Sequence, residues 1–148
     1  MRRAFRILAA CLAAATALPA LASPASDAAS NCLVDHTNGR DRKDLVRWFV
    51  IAMAAHPEIN TMLTISPATK DDANRKTGEL FTRLIAVDCT AEMKAAIKAD
   101  GQMAFKTAFG KLGQVAVQEL MSDPSVAASM GAVDNYIDAA RLRDALAR

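Results

Sequence analysis

The pair of cysteines at Cys32 and Cys89 constrains the fold of this chain more than any other feature of its sequence. A bond between them would close a loop of 57 residues, and the chain-entropy model values such a loop at roughly 4 kcal/mol of stability. A zinc site is the rival use of these thiols, but the chain has two histidines and no C-x-x-C spacing to complete four ligands. We therefore predict a Cys32–Cys89 disulfide and no metal or cofactor, provided that the chain is exported to an oxidising compartment.

The first 22 residues have the pattern of a cleaved signal peptide. A positive start is followed by an apolar, alanine-rich run over residues 7–17, and the residues at 20–22 are small enough for the site that a signal peptidase reads. The charges of the positive start are Arg2, Arg3 and Arg6. We predict cleavage between Ala22 and Ser23, which places the mature chain in the periplasm or outside the cell.

Other interpretations of this N-terminal segment stay open. A retained membrane anchor would need a longer apolar run, because the hydrocarbon core of a bilayer is roughly 30 Å thick. The letters LAAC at residues 8–11 fit a lipoprotein box with Cys11 as the acylated residue, and RRAF at residues 2–5 partly resembles a twin-arginine export signal. The choice between general secretion and twin-arginine export is therefore left open.

Removing the signal peptide reverses the sign of the net charge. The whole chain carries 18 lysines and arginines against 16 aspartates and glutamates, but three of the arginines leave with the signal, so the mature chain has a net charge of −1. The net positive charge of the whole chain comes from the arginines of the predicted signal peptide. The net charge of the mature chain therefore gives no support to nucleic-acid binding. We expect no nucleic-acid partner and no stable membrane span after cleavage.

The mature sequence predicts an all-α domain. Alternating apolar and polar residues are missing, while alanine, leucine, methionine, lysine and glutamate dominate. The small polar stretch at residues 23–31 is expected to be a flexible leader. Residues 32–148 are expected to form a single domain, a small helical bundle of four to five helices with one disulfide.

Two segments of this domain carry specific expectations about burial. The nearly continuous apolar run from Leu45 to Met53 predicts a central helix with neighbours on several sides, in which Trp48 belongs to the core. The C-terminal tail predicts a last amphipathic helix. Its inward-facing residues would be Tyr136, Ile137 and Ala140, with Leu142 and Leu146 as further candidates.

A long amphipathic helix is predicted over Met103–Met121, and it contains two interior glycines, Gly110 and Gly113. Each glycine costs about 1 kcal/mol relative to alanine in a helix interior. Close approach of another helix backbone would explain them. A phosphate-binding loop would not, because no strand precedes them and their spacing matches no P-loop.

Residues 35–43 are polar and charged, and they lead directly into the apolar helix. Asp41 fits a helix entrance, and Asp44 adds negative charge to the first turn, so both occupy the place that an anion would need. The order of acidic residues does not match a calcium-binding EF-hand loop. A basic group follows, for which a solvated face and a docking surface are both open. The candidate binding surface consists of His36, Arg40, Arg42, Lys43 and Arg47.

No catalytic residue is assigned from the sequence. Asp35 is a chain neighbour of His36, but nucleophilic catalysis needs a nucleophile, a base and an orienting carboxylate that converge in space. The alternative is a small periplasmic enzyme or anion-binding protein that uses the segment Asp35–Lys43. That alternative requires His36, Arg40 and Asp41 to converge in a cleft.

The sequence favours a non-enzymatic exported protein that binds another periplasmic protein or an apolar ligand through a helical surface. Such a protein should expose an apolar patch of more than a few hundred Å². A cysteine before the first core helix and a second cysteine that closes a later helix give an architecture that is loosely similar to the acid-stress chaperones of the HdeA type. The similarity implies an alternative function as an acid chaperone, whose apolar patch would appear only near pH 2–3.

Overall fold

The computed structural model describes residues 22–147, and the predicted signal peptide up to residue 21 lies outside this range. The described residues are all-helical, as expected, but they form eight α-helices rather than four to five. A π-helical turn covers Leu84–Asp88, and a 3-10 turn covers Ala132–Tyr136. The α-helices are α1 Pro24–Asp35, α2 Gly39–Met53, α3 Pro57–Asn60, α4 Pro67–Arg83, α5 Thr90–Asp100, α6 Met103–Met121, α7 Pro124–Gly131 and α8 Ala139–Leu146.

Helix α1 occupies the stretch at residues 23–31 for which we expected a flexible leader, so that expectation is wrong. The Ser23 hydroxyl caps the helix by accepting from the Ser26 N–H, and Pro24 supplies the fixed φ that suits a first turn. One face of α1 is buried against α5 and α6. That face consists of Ser26, Ala29, Ser30 and Leu33. These mostly small side chains let the helix axes approach closely, so α1 gains its stability from packing.

The start of α1 is fixed to the end of α5 by Asp100. Its Oδ2 accepts hydrogen bonds from the Ser23 hydroxyl at 2.5 Å, from the Ser26 hydroxyl and from the Ser23 N–H at 3.3 Å. The hydrogen bond from the Ser23 hydroxyl is the largest cause of a lowered pKa of Asp100. The hydrogen bond from the Ser26 hydroxyl is the second cause. The bonds join residues that are 77 positions apart in the chain for Ser23 and 74 positions apart for Ser26.

The hydrophobic core lies on both sides of α6. Helix α1 packs against α5 and α6, whereas α2 packs against α4 and α6. Helix α6 contributes a row of mostly small buried residues at helical spacing. The row consists of Ala104, Ala108, Leu112 and Ala116. The bounds Met103–Met121 confirm the helix that the sequence predicted.

The predicted cysteine pair lies at disulfide-bonding distance. The sulfur atoms of Cys32 and Cys89 are 2.04 Å apart, and Cys89 is fully buried. Cys89 follows the π-helical turn, and its N–H donates to the Leu84 carbonyl five residues earlier. The disulfide therefore joins α1 to the start of α5 across the segment that contains α2 and α4.

Helix α2 is not the central helix that its apolar sequence predicts. Leu45 is its one buried residue in the described structure, and Phe49 is 49% exposed. Val50 and Met53 are exposed as well. Helix α2 has its main contacts with α4 and α6 alone, so part of its apolar circumference has no partner.

The C-terminal residues form an exposed arm, defined as residues 127–147, in which every residue is exposed. The expectation that Tyr136 and Ile137 face inward is wrong, since Tyr136 is 89% exposed. Asp123 and Pro124 end α6 and start α7, and the helices beyond them do not cover the core. Among residues 22–147, no helix combines the length and the apolar character that a bilayer crossing requires.

Candidate functional site

An apolar groove lies between α2, α4 and α6. Its volume is about 370 Å³, which falls within the size range of small-molecule sites. Four aromatic rings contribute to its walls, and none of its lining residues is ionisable. The groove is lined by Leu45, Val46, Trp48, Phe49, Phe81, Phe109, Gly113, Ala116 and Val117.

Three of the aromatic rings form a contact series along the groove. The ring centroids of Trp48 and Phe81 lie 6.2 Å apart in an edge-to-face arrangement, and those of Phe81 and Phe109 lie 4.6 Å apart. The indole N–H of Trp48 donates to Oδ1 of Asn74 at 3.0 Å. This hydrogen bond satisfies the polar edge of the indole and leaves its apolar surface to the groove. Trp48 packs against the core, as expected, but it is only partly buried and also forms part of the groove wall.

The groove is open because α6 has a glycine where a side chain would fill it. A Cβ atom placed on Gly113 would meet no heavy atom within 4 Å, and the same is true of Gly110. The expectation that another helix backbone approaches these two glycines closely is therefore wrong. Gly113 lines the groove, whereas Gly110 is exposed outside it.

The polar segment before α2 is a helix entrance, as expected. The Asn38 side chain accepts from the N–H groups of Arg40 and Asp41, and the Asp41 carboxylate accepts from the Asn38 N–H. Helix α2 begins at Gly39, two residues earlier than the start that we expected near Asp41. Asp41 also forms an ion pair with Arg83 at 2.9 Å. These contacts occupy the first N–H groups of α2, where a bound anion would have to lie.

His36 lies beside the disulfide rather than in a cleft. Its Nδ1 is 3.0 Å from the Cys32 carbonyl oxygen, 3.6 Å from the Cys32 sulfur and 3.9 Å from the Cys89 sulfur. The three side chains form a cluster that could hold a metal, but the two sulfurs are bonded to each other and do not offer thiolates. Five cavities lie among residues 22–147. None of the five is lined by His36, Arg40 or Asp41.

The predicted basic surface is divided by the fold. Arg42, Lys43 and Arg47 line one depression of about 280 Å³, which we call the charged rim, whereas His36 and Arg40 lie outside it. The charged rim is continuous with the apolar groove, because Val46 and Ala116 line both.

The sequence identified three residues of the charged rim but not the groove beside it. The missing signal was the spacing in α6, where Phe109, Gly113 and Val117 follow one another at four-residue intervals on one helix face. A glycine between two large apolar residues on such a face marks a gap in the surface.

In comparisons with known proteins, no family model, no curated protein and no solved structure matches this chain.

Proposed function

We propose that this protein is an exported, non-enzymatic binding protein that holds an apolar ligand in the groove between α2, α4 and α6. The observation that carries the proposal is the groove itself, whose volume of about 370 Å³ is bounded by apolar side chains and a glycine. Contact of such an apolar surface with water is unfavourable in free energy, and a bound ligand would remove that contact. Burial of each methylene group there would contribute about 0.8 kcal/mol.

Two features support a preformed site. The groove walls come from three different helices, and one of them, α6, is anchored in the core through Leu112 and Ala116. The hydrogen bond between Trp48 and Asn74 restrains the indole ring before any ligand arrives. A ligand would therefore bind without a large loss of protein conformational entropy.

The enzyme alternative has less support. The groove contains no acid, base or nucleophile among its lining side chains, and general acid–base catalysis needs such a group within hydrogen-bond reach of the substrate. The residues that the enzyme alternative requires, His36, Arg40 and Asp41, line none of the five cavities.

The acid-chaperone alternative also has less support. It expects an apolar surface that becomes accessible only in acid. Phe49 and Met53 on α2, and Met62 and Leu63 in the segment after α3, are already exposed in the folded structure. An apolar surface that is accessible in the native fold fits constitutive binding.

Trp48 is the one tryptophan of the chain, so its fluorescence reports directly on the groove. We expect the neutral dye N-phenyl-1-naphthylamine to bind at neutral pH with saturable quenching of Trp48 emission. Long-chain aliphatic compounds should then displace the dye. If the dye does not bind, or if aliphatic compounds do not displace it, the groove is not a ligand site.

Two glycines of α6 offer a matched pair of variants for the same measurement. Gly113→Leu should fill the groove and weaken dye binding about tenfold or more, equivalent to about 1.4 kcal/mol. Gly110→Leu adds the same side chain to the same helix outside the groove and should leave the affinity unchanged. Both positions have open space around the added Cβ, so both variants should fold. Equal affinities of the two variants for the dye would contradict the proposal.

A further inference from the structure

The charged rim beside the groove has one positive charge that no carboxylate compensates at ion-pair distance. Nε of Arg42 lies 2.5 Å from Glu119, and Nη1 of Arg47 lies 2.7 Å from Asp44. Lys43 makes no ion pair in the part of the chain from residue 22 to residue 147. Its side chain is exposed and lines the rim.

The groove and the charged rim form one continuous site with two chemistries. Val46 and Ala116 line both parts, so a molecule that occupies the apolar groove can place a polar end beside Lys43 without leaving the protein surface. The arrangement fits an amphiphile whose apolar part lies in the groove and whose polar end lies at the rim. The positive sign of the free charge favours an anion at that polar end over a neutral group or a cation.

The charge at the rim also limits the charge of the ligand. One free ammonium balances one negative charge, and Glu119 and Asp44 would repel a dianion such as a phosphate monoester. Lys43 is a compact point charge with rotatable donors, which binds a carboxylate without the bidentate geometry that arginine favours. The volume of the groove, about 370 Å³, is small for a lipid with two chains.

We propose that the ligand is a long-chain fatty acid, with its single acyl chain in the apolar groove and its carboxylate at Lys43. This inference rests on the proposed function, because it names the chemical class of the ligand that the groove holds. The shared lining residues Val46 and Ala116 and the uncompensated charge of Lys43 carry it.

Asp123, the N-cap of α7, is a carboxylate that makes no ion pair with Lys43 but is within reach of its electrostatic field. Hydrogen bonds from Ser125 are the main cause of its lowered pKa, and the positive charge of Lys43 contributes as well. The field of Lys43 therefore reaches the start of α7. Removal of this negative charge by Asp123→Asn should strengthen binding of an anionic ligand and leave binding of a neutral ligand unchanged.

The test measures displacement of N-phenyl-1-naphthylamine by three ligands with the same chain, hexadecanoate, hexadecanol and hexadecyltrimethylammonium, each below its aggregation concentration. We expect hexadecanoate to bind about three- to fivefold more tightly than hexadecanol, the range for one exposed charge pair, and the cation to bind most weakly. The preference should decrease with added salt. It should disappear in Lys43→Gln, persist in Lys43→Arg, and be unaffected in Lys94→Gln, which alters an exposed lysine on α5.

The outcomes separate the two proposals. Equal binding of hexadecanoate and hexadecanol, or a preference that survives Lys43→Gln, would overturn the fatty-acid inference and leave the groove as an apolar site. Tighter binding of the cation would overturn it as well. Failure of all three ligands to displace the dye would overturn the proposed function itself.

Discussion

Asp100 connects the start of α1 to the end of α5 through a single carboxylate oxygen. The hydrogen bonds from Ser23 and Ser26 lower its pKa from the ordinary value of 3.8. A carboxyl whose pKa is lowered by folding stabilises the folded state at pH values above 3.8, and this contribution is lost as the pH falls through the lowered value. The attachment of α1 to α5 should therefore be weaker in acid than at neutral pH.

The substitution Asp100→Asn tests this attachment. We expect it to lower the melting temperature by a few degrees at pH 7, because the amide cannot accept these hydrogen bonds as a charged group. The difference from the parent protein should shrink as the pH falls from 3.8 through the lowered pKa at which the carboxyl of the folded parent becomes protonated. Thermal melts between pH 2.5 and pH 7 measure this difference.

A matched control is Asp71→Asn, which changes an exposed aspartate of α4 that makes no ion pair in the described residues. Its melting temperature should follow that of the parent protein at each pH. A constant destabilisation of Asp100→Asn at all pH values would contradict the assigned role of the charge.

The groove could not be predicted from the sequence, for reasons that lie in single residues. The large apolar residues Trp48 and Phe49 look like core residues in a sequence pattern, which does not show whether a neighbouring helix covers them. Gly113 looked like a site of close helix approach, but it is a gap. Lys43 was part of the predicted binding surface, yet the sequence could not separate it from Arg42 and Arg47, which have ion-pair partners.

At the scale of elements, the sequence predicted those helices that have large apolar residues or clear ends. The bounds of α6 followed from periodicity. The polar segment before α2 was identified as a helix entrance, but the cap is Asn38 and not Asp41, so the helix begins earlier than the sequence predicted. Helix α1 was missed because its buried face is made of alanine and serine, which a search for large hydrophobic residues does not register. Its signals were the Ser23–Pro24 start and the helical spacing of Ala29 and Leu33.

Two neighbouring alanines test whether α1 is a packed helix or a leader. Ala29 is fully buried, whereas Ala28 is exposed on the same helix. Ala29→Asp should destabilise the protein by about 3 kcal/mol or more, because it buries an unpaired charge. Ala28→Asp should change the free energy of unfolding by less than about 0.5 kcal/mol. Urea unfolding measures both, and equal effects would mean that α1 is not packed against α5 and α6.

At the scale of the whole molecule, residues 22–147 form a packed body and the exposed arm. The body holds the disulfide, the groove and the charged rim, whereas residues 127–147 bury no side chain. The sequence did not reveal this division, because the arm has apolar residues at helical spacing. Its last helix, α8, has an apolar side at Leu142 and Leu146, and both residues are exposed.

Deletion of residues 132–148 tests the division. We expect the melting temperature to change by less than about 2 °C, since exposed residues contribute little to stability. Dye binding in the groove should be unchanged, because no groove residue lies beyond Val117. A loss of more than about 5 °C, or weaker dye binding, would show that the arm covers the body in solution.

The hydrogen bonds between Ser23 and Asp100 also bear on how the precursor matures. Cleavage between Ala22 and Ser23, which we propose, would cut one residue ahead of α1 and turn the Ser23 amide into an ammonium group 3.3 Å from the Asp100 carboxylate. A peptidase needs an extended chain on both sides of the bond that it cuts. When α1 is docked, only Ser23 lies between that bond and the first residue of the helix. Such a cut would therefore have to precede the docking of α1, and the new ammonium group would give the mature protein an ion pair with Asp100 that its precursor lacks.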